Sequence, residues 1–459
     1  MNSYSKTIAA ISTAMSNSGI GIVRMTGSES FEIADKIYKG KNNKKLCEQK
    51  SHTIHYGYIT DQDEVIDEVL VMLMKGPHSY TGEDTVEINC HGGVFVVRRI
   101  LETLIKYGAR PAEPGEFTKR AFLNGKIDLS QAEAVIDVIN SKNEYALKSS
   151  VSQLKGNVQK KIKEIREQII YHTAFIETAL DDPEHISVDG YGETLRLTVD
   201  NLICELDVLL KSSDNGRIIK EGIKTVIVGK PNAGKSSLLN VLVGEERAIV
   251  TDIAGTTRDV LEEAINLNGV SLNIMDTAGI RNTEDIVEKI GVDKAKTYAN
   301  EADLVIYVVD ASREFDQNDY DIIELIRDKK TIILLNKSDL ATVITKDMVK
   351  SIIDKPIVSI SAKEEQGIEE FEEIIKNMFF HGELSFNDEV YITNIRHKAA
   401  IQDAYNSLQK VIVSIDNDMP EDFYSIDLLD AYESLGSITG ETIGEDLVNE
   451  IFSKFCMGK

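Results

Sequence analysis

The stretch of sequence that decides the fold is residues 223–237, IKTVIVGKPNAGKSS. Five of its first six residues are β-branched and predict a buried strand, and the leucine-rich residues 238–242 predict a helix. Glycines at both ends of the intervening loop let backbone N–H groups and the helix N-terminus approach phosphate oxygens. The segment therefore predicts a P-loop, in which Lys235 contacts the β- and γ-phosphates and Ser236 ligates magnesium.

Two further motifs follow the P-loop at the ends of predicted strands. In DTAG, Asp276 can hold magnesium through water and Gly279 can donate a backbone N–H to a γ-phosphate. In NKSD, which follows the predicted strand 332–335, the Asp339 carboxylate can accept both N–H groups of a guanine edge. Adenine would leave that carboxylate partly unpaired, so the pattern predicts guanine specificity and a guanine-nucleotide hydrolase.

The remaining contacts come from the segment before DTAG and from a motif near residue 361. In TDIAGTTRD, at 251–259, Thr257 is the hydroxyl that we expect to reach magnesium only when a γ-phosphate is bound. SAK, at 361–363, is expected to support the base from its other side. The predicted guanine-nucleotide contacts are Asn232, Ala233, Gly234, Lys235, Ser236, Ser237, Thr251, Asp252, Ile253, Ala254, Gly255, Thr256, Thr257, Asp276, Thr277, Ala278, Gly279, Asn336, Lys337, Asp339, Ser361, Ala362 and Lys363.

Strand and helix patterns around these motifs predict the domain organisation. Strands at 304–309 and 357–360, and a hairpin turn at Asn268-Gly269, predict an α/β sheet with one antiparallel edge. Apolar residues at helical spacing from 151 to 169 predict one long helix, and the tail is helical again. The predicted fold is multidomain, with an N-terminal α+β domain at 1–122, a discontinuous helical bundle at 123–219 and 381–459, and an inserted Ras-like α/β G domain at 220–380.

Composition and charge restrict the possible functions. The 459 residues are 42% hydrophobic and 28% charged, which is typical of a folded globular protein. A net charge of -25 disfavours RNA binding by bulk electrostatics, so any RNA contact is expected to be local or shared with a partner. Because the sequence shows no signal peptide, no apolar run of membrane-spanning length and no cysteines at metal-ligand spacing, we expect a cytoplasmic protein.

One position departs from Ras-like switches. There, a glutamine after Asp-x-x-Gly orients the attacking water, whereas here the residue is Ile280, whose side chain cannot hydrogen-bond water. The nearest polar candidates for this role are Arg281, Glu284, Asp285 and Glu288. The arginine finger of other GTPases is also missing, so another group must take its place.

Residues 229–363 resemble the TrmE-type GTPases, also called the MnmE family. The resemblance implies an enzyme in which a potassium ion replaces the arginine finger as two G domains meet. The implied potassium contacts are Asn232, Thr251, Ile253 and Thr256, the second and third through backbone carbonyls. The family's catalytic glutamate, which positions water indirectly, matches Glu288.

The resemblance extends to both ends of the chain. GIGIVR at 19–24 and SYTGEDTVEI at 79–88 are similar to the family's N-terminal domain, which forms a constitutive homodimer and binds 5-formyl-tetrahydrofolate or a related folate. The implied folate contacts are Arg24, Glu87, Lys126 and Lys459. The last residues, FCMGK, resemble the family's terminal Cys-x-Gly-Lys signature. In the family, the cysteine that matches Cys456 is required for RNA modification but not for GTP hydrolysis.

For the whole chain, the resemblance implies a GTPase that takes part in tRNA modification. Together with a flavin- and NADH-dependent subunit of the MnmG or GidA type, in a heterotetramer, such an enzyme adds a carboxymethylaminomethyl or aminomethyl group to carbon 5 of the wobble uridine of certain tRNAs. No GxGxxG fingerprint is present in the sequence, which agrees with redox chemistry in the partner. Two alternatives remain open: a ribosome-assembly GTPase that binds RNA as a switch, and a folate-dependent one-carbon enzyme regulated by GTP.

Overall fold

The structure is a computed structural model that describes residues 6–40, 44–187, 190–244, 263–267, 270–275, 298–380, 390–442, 444–456 and 458. The chain forms two compact units. Unit 1 comprises Met1–Ile136, Gln153–Ile170 and Tyr432–Lys459, and unit 2 comprises Asp137–Ser152 and Tyr171–Ala431. None of the described helices is both long and apolar enough to cross a membrane.

Unit 1 contains a mostly antiparallel sheet. Its strands are β1 (Ile8–Ile11), β2 (Ser18–Thr26), β3 (Tyr38–Gly40), β4 (Thr53–Asp61), β5 (Glu64–Met74), β6 (Thr85–Gly92) and β7 (Arg110–Pro111), in the order β3-β4-β5-β6-β2-β1-β7. Helices α1 (Ser30–Ile37) and α2 (Val94–Lys106) cover one face, where Val23, Ile88 and Ile100 are fully buried. The predicted α+β character of this region is confirmed.

The helices that follow are α3 (Glu116–Leu123), α4 (Leu129–Ile139), α5 (Glu144–Leu154), α6 (Asn157–Asp181) and α7 (Tyr191–Glu221). The prediction of one continuous helix from 151 to 169 is wrong, because α5 ends and α6 begins within that range. Gly156 adopts a left-handed φ of 89°, and its N–H donates to the Gln153 carbonyl at 2.9 Å, so the chain turns there. A non-glycine residue would be strained in this conformation.

Unit 2 contains a mostly parallel sheet. Its strands are β8 (Ile223–Val228), β9 (Glu263–Leu267), β10 (Val270–Ile274), β11 (Leu304–Asp310), β12 (Thr331–Asn336) and β13 (Ile357–Ser359), in the order β13-β12-β11-β8-β10-β9. Among the described strands of this sheet, only β9 runs antiparallel to its neighbour, and it lies at the edge. The predicted strands and the antiparallel edge are confirmed, and the carboxyl ends of β8, β11, β12 and β13 lie at one side of the sheet.

The remaining helices are α8 (Lys235–Val243), α9 (Gln317–Ile326), α10 (Lys346–Lys350), α11 (Ile368–Phe380), α12 (Ile395–Asp416), α13 (Glu421–Thr439) and α14 (Glu445–Ser453). Within unit 2, α7 packs along α12, and the Ser212 hydroxyl of α7 accepts from the Ile392 N–H at 3.3 Å. Helices from before residue 220 and after residue 380 therefore contact each other. The domain boundaries themselves stay a prediction.

Candidate nucleotide-binding site

The P-loop connects the end of β8 to the start of α8, as the sequence predicts. Gly229 has a φ of 151°, and a Cβ there would lie 2.4 Å from the Val308 carbonyl oxygen. Gly234 has a φ of 100°, and a Cβ there would lie 2.0 Å from the Asn336 Nδ2. Both positions therefore require glycine, because neither the backbone angle nor the space permits a side chain.

Lys235 begins α8, and its ammonium lies inside the loop. The Nζ donates to the carbonyl oxygens of Gly229 at 2.7 Å and Lys230 at 2.8 Å. Burial lowers the pKa of Lys235, since a charged amine loses solvation there. An anion at the helix N-terminus would restore that lost stabilisation, which is the chemistry expected of a phosphate-binding lysine.

Asn336 joins three of the predicted motifs. It is buried at the end of β12, donates from Nδ2 to the Ala233 carbonyl at 2.8 Å, and accepts at Oδ1 from the Ala362 N–H at 3.0 Å. One side chain thus fixes the P-loop to the NKSD and SAK segments. Its role is to hold the loops at the sheet edge in register.

The predicted base-reading carboxylate is exposed beside β12. The Asp339 Oδ1 accepts from the Ser361 hydroxyl at 2.7 Å, and this hydrogen bond lowers the pKa of Asp339. The carboxylate is therefore ionised at neutral pH and able to accept from a guanine edge. Lys363, in contrast, extends into solvent, with its Nζ 3.7 Å from Glu364.

Lys337 is held by a residue that the sequence analysis did not identify. It adopts a left-handed φ of 66°, and its Nζ lies 2.6 Å from the Asp310 Oδ2 at the end of β11. Burial would raise the pKa of Asp310, but hydrogen bonds from Lys337 and Ser312 outweigh burial and lower it. The sequence signal that could have identified Asp310 is its position at the end of β11, the parallel neighbour of β12.

Ser236 and Ser237 lie in the first turn of α8, and Asn232 is exposed in the loop with a φ of 62°. The Ser236 hydroxyl, next to Lys235 in sequence, is a hard oxygen ligand of the type that magnesium prefers. The described part of the chain holds no cluster of three carboxylate, histidine or cysteine side chains suited to a metal. The predicted residues that lie outside the described residues are Thr251, Asp252, Ile253, Ala254, Gly255, Thr256, Thr257, Asp276, Thr277, Ala278, Gly279, Glu288 and Lys459.

A second polar site lies in unit 1, on the sheet face opposite α1 and α2. Arg24 of β2 and Glu87 of β6 are register partners and form an ion pair at 2.7 Å. The Arg24 guanidinium carbon lies 5.4 Å from the ring centre of Tyr80 and 5.7 Å from that of Phe117. The structure thus places a cation, a carboxylate and two aromatic rings together, although Lys126 points its Nζ to the Pro77 carbonyl at 3.2 Å.

The C-terminal segment reaches this second site. The Gly458 carbonyl accepts from Arg24 at 3.4 Å and from the Ser12 hydroxyl at 3.2 Å. Gly458 has a φ of 95°, and a Cβ there would lie 2.3 Å from the Ile11 carbonyl oxygen. Cys456 is exposed, and its carbonyl accepts from the Gly115 N–H at 3.3 Å. Gly458 of the terminal signature is therefore held near Arg24 by close backbone contacts.

Comparisons with known proteins cover nearly the whole chain. The sequence profile of the TrmE N-terminus, described as that of a GTP-binding protein, matches residues 7–126, and the profile of the MnmE helical domain matches residues 129–456. The chain is similar to proteins named tRNA modification GTPase MnmE. The one from Lachnoclostridium phytofermentans is 60% identical, that from Acetivibrio thermocellus 52% and that from Clostridioides difficile 48%, each over 99% of both chains.

Proposed function

Because the chain belongs to the MnmE family of tRNA modification GTPases, we propose that it hydrolyses GTP at the P-loop of unit 2 and uses that reaction in modifying the wobble uridine of certain tRNAs. The observation that carries the proposal is the arrangement around Asn336. This residue links the phosphate-binding loop to the loops that carry Asp339 and Ser361. A single nucleotide can then contact the phosphate and base segments together.

In this proposal the residues divide the work of binding and hydrolysis. Lys235 and the first turn of α8 hold the β- and γ-phosphates, and Ser236 and Thr257 ligate magnesium. Asp339 accepts from the guanine N–H groups while Ser361 keeps its carboxylate oriented at 2.7 Å. Glu288 is the proposed group that positions the attacking water, because Ile280 cannot do so.

Potassium is proposed as the replacement for the arginine finger, with Asn232, Thr251, Ile253 and Thr256 as its ligands. Asn232 offers a side-chain amide oxygen at the solvent-exposed side of the P-loop, where a second G domain would meet it. When bound, the ion supplies a positive charge against the charge that develops on the transferring phosphoryl group.

We expect GTP turnover to be at least about tenfold faster in potassium than in sodium at equal ionic strength, since an arginine finger contributes roughly 10³ to 10⁵ in rate where one exists. Asn232→Ala and Glu288→Ala should each lose this acceleration. Asn240→Ala is the matched control, because Asn240 is exposed on α8. The rate of steady-state phosphate release measures GTP turnover by the native chain and the three variants. Equal rates in potassium and sodium for the native chain would contradict the potassium proposal.

We propose the site around Arg24 as the folate site. The Arg24 cation suits a glutamyl carboxylate, Glu87 suits the N–H edge of a pterin, and the Tyr80 and Phe117 rings offer aromatic surface. Lys126 and Lys459 are the other proposed contacts. Cys456 is proposed to act in tRNA modification at the same end of unit 1.

Arg24→Leu is expected to weaken binding of 5-formyl-tetrahydrofolate by at least roughly tenfold, because it removes a charged hydrogen-bond donor. Isothermal titration calorimetry measures the change. Arg99→Leu is the control, since Arg99 lies on α2 and pairs with the exposed Glu64 at 3.2 Å. Unchanged folate affinity in the Arg24 variant would contradict this assignment.

The exposed sheet face of unit 1 supports the proposed homodimer. Ile54, Tyr56 and Tyr58 alternate outward along β4 and are 60%, 52% and 41% exposed, and Leu70 of β5, opposite Tyr56, is 47% exposed. Contiguous apolar surface of this kind is a feature of protein–protein contacts. We propose that two chains associate through N-terminal domains, and that a flavin- and NADH-dependent subunit joins them to supply redox chemistry and part of the tRNA-binding surface.

A further inference from the structure

Lys230, the second residue of the P-loop, forms ion pairs with two aspartates that lie outside the nucleotide-binding motifs. Its Nζ lies 2.5 Å from the Asp319 Oδ2 and 3.0 Å from the Asp316 Oδ2. The two carboxylates differ in environment, because the Asp319 side chain is 2% exposed and that of Asp316 is 55% exposed. Removing the partner of a buried charge is costly, whereas an exposed ion pair contributes little. The Lys230–Asp319 pair is therefore the contact with the larger effect.

Asp319 is held in place independently of the P-loop. Its Oδ1 accepts from the Tyr307 hydroxyl at 2.8 Å, and its Oδ2 accepts from the Asp316 N–H at 2.9 Å in the capping box of α9. Tyr307 is fully buried on β11 and is the register partner of Val228, the last residue of β8. The carboxylate is thus fixed to the sheet and to a helix N-terminus beside the loop.

Lys230 is held at its backbone as well as at its side chain. Its carbonyl oxygen accepts from the Lys235 Nζ at 2.8 Å and from the Ala233 N–H at 3.3 Å. Burial would lower the pKa of Lys230, but hydrogen bonds from its ammonium to Asp319 and Asp316 outweigh burial and raise it, so the ammonium stays charged. The backbone of Lys230 is consequently fixed between the phosphate-binding lysine and the Asp319 carboxylate.

We infer that Asp319 is a positioning residue for nucleotide binding, and that its ion pair with Lys230 fixes the P-loop backbone around Lys235 and Asn232. Asn232 follows Lys230 by two residues in a left-handed conformation that depends on the loop keeping its path. The inference rests on the proposed binding of GTP at this loop. Asp319 acts through Lys230, so its loss disturbs the geometry of the loop and leaves the phosphate-binding groups in the chain.

The test is the dissociation rate of a fluorescent GDP analogue from the full-length protein. Asp319→Asn keeps the shape and an acceptor for Tyr307 but removes the charge that Lys230 requires. We expect release to be roughly tenfold faster, the order expected when a charged hydrogen-bond partner becomes neutral. Asp321→Asn is the matched control, because Asp321 is an exposed carboxylate on the same helix that accepts from Gln317 at 3.0 Å. Its release rate should equal that of the native chain.

Substitutions of Lys230 separate positioning from general stability. Lys230→Met removes the ammonium from the ion pair. The double variant, Lys230→Met with Asp319→Asn, should release the analogue no faster than the faster single variant, because both substitutions remove the same ion pair. Lys230→Arg, which keeps the charge, should restore most of the native rate. Additive effects of the two substitutions, or native release from Asp319→Asn, would overturn the inference.

Potassium dependence gives a readout that a loss of stability alone does not move. If Asp319 positions Asn232 through the loop, Asp319→Asn should need more potassium for half-maximal GTP turnover, at a temperature well below its unfolding transition. If the rate of GTP turnover by the native chain does not depend on potassium, only the potassium proposal is contradicted. The release rates of the GDP analogue would still decide the role of Asp319.

Discussion

Gly234→Ala is expected to weaken GTP binding strongly. The added Cβ would lie 2.0 Å from the Asn336 Nδ2, at a backbone φ of 100° that alanine adopts only under strain. Displacing Asn336 also breaks its 2.8 Å hydrogen bond to the Ala233 carbonyl. Strain and the lost hydrogen bond together cost about 2 to 4 kcal/mol, which corresponds to a loss of affinity of roughly 30- to 1000-fold.

The matched control is Gly244→Ala at the other end of α8. Gly244 has no left-handed φ, and a Cβ there would meet the Val241 carbonyl oxygen at 3.4 Å, an ordinary contact distance. The affinity for a fluorescent GTP analogue should therefore be close to native in Gly244→Ala and at least roughly 30-fold weaker in Gly234→Ala. Native affinity in both variants would show that nucleotide does not bind at this loop.

Asp339→Asn is expected to exchange base specificity. The variant replaces one acceptor oxygen with an N–H₂ donor, so a guanine edge that donates two hydrogen bonds is no longer matched. Two hydrogen bonds to a charged group contribute about 1.5–3 kcal/mol each, so GTP affinity should fall by roughly 10²- to 10⁴-fold. Xanthosine triphosphate carries an acceptor oxygen where guanine has an amino group, and it should bind the variant better than GTP.

Competition binding with GTP, ATP and xanthosine triphosphate measures this exchange. Asp347→Asn, an exposed carboxylate on α10, serves as the control and should keep native preference for GTP. An Asp339 variant that still preferred GTP would mean that another group reads the base.

Local sequence signals predicted the parts of the site that lie along one continuous stretch. The β-branched run 223–228, the glycine loop and the leucine-rich segment after it lie close together in sequence, and the structure shows the predicted strand, loop and helix. The hairpin signal likewise predicted β9 and β10 and the antiparallel edge. In these cases the deciding interactions are short-range, so periodicity and turn chemistry suffice.

Contacts between distant segments were not predictable in the same way. Lys230 meets Asp319 across 89 residues, and Lys337 meets Asp310 across 27, so spacing along the chain gave no direct signal. Asp316 and Asp319 have the spacing of a capping box, which could have predicted the start of α9. That spacing could not have predicted the ion pair with Lys230. The sequence did not predict the end of α5 before Gly156, because apolar residues recur at helical spacing on both sides of it. The glycine itself was the one signal of a turn.

The most direct test of the central claim is mass spectrometry of tRNA nucleosides from cells that lack this chain and are complemented with the native gene or with Gly234→Ala. The proposed function predicts that the carboxymethylaminomethyl or aminomethyl group at carbon 5 of the wobble uridine is missing without the chain, restored by the native protein and still missing with Gly234→Ala. Wobble uridines that keep this group in cells without the chain would contradict it.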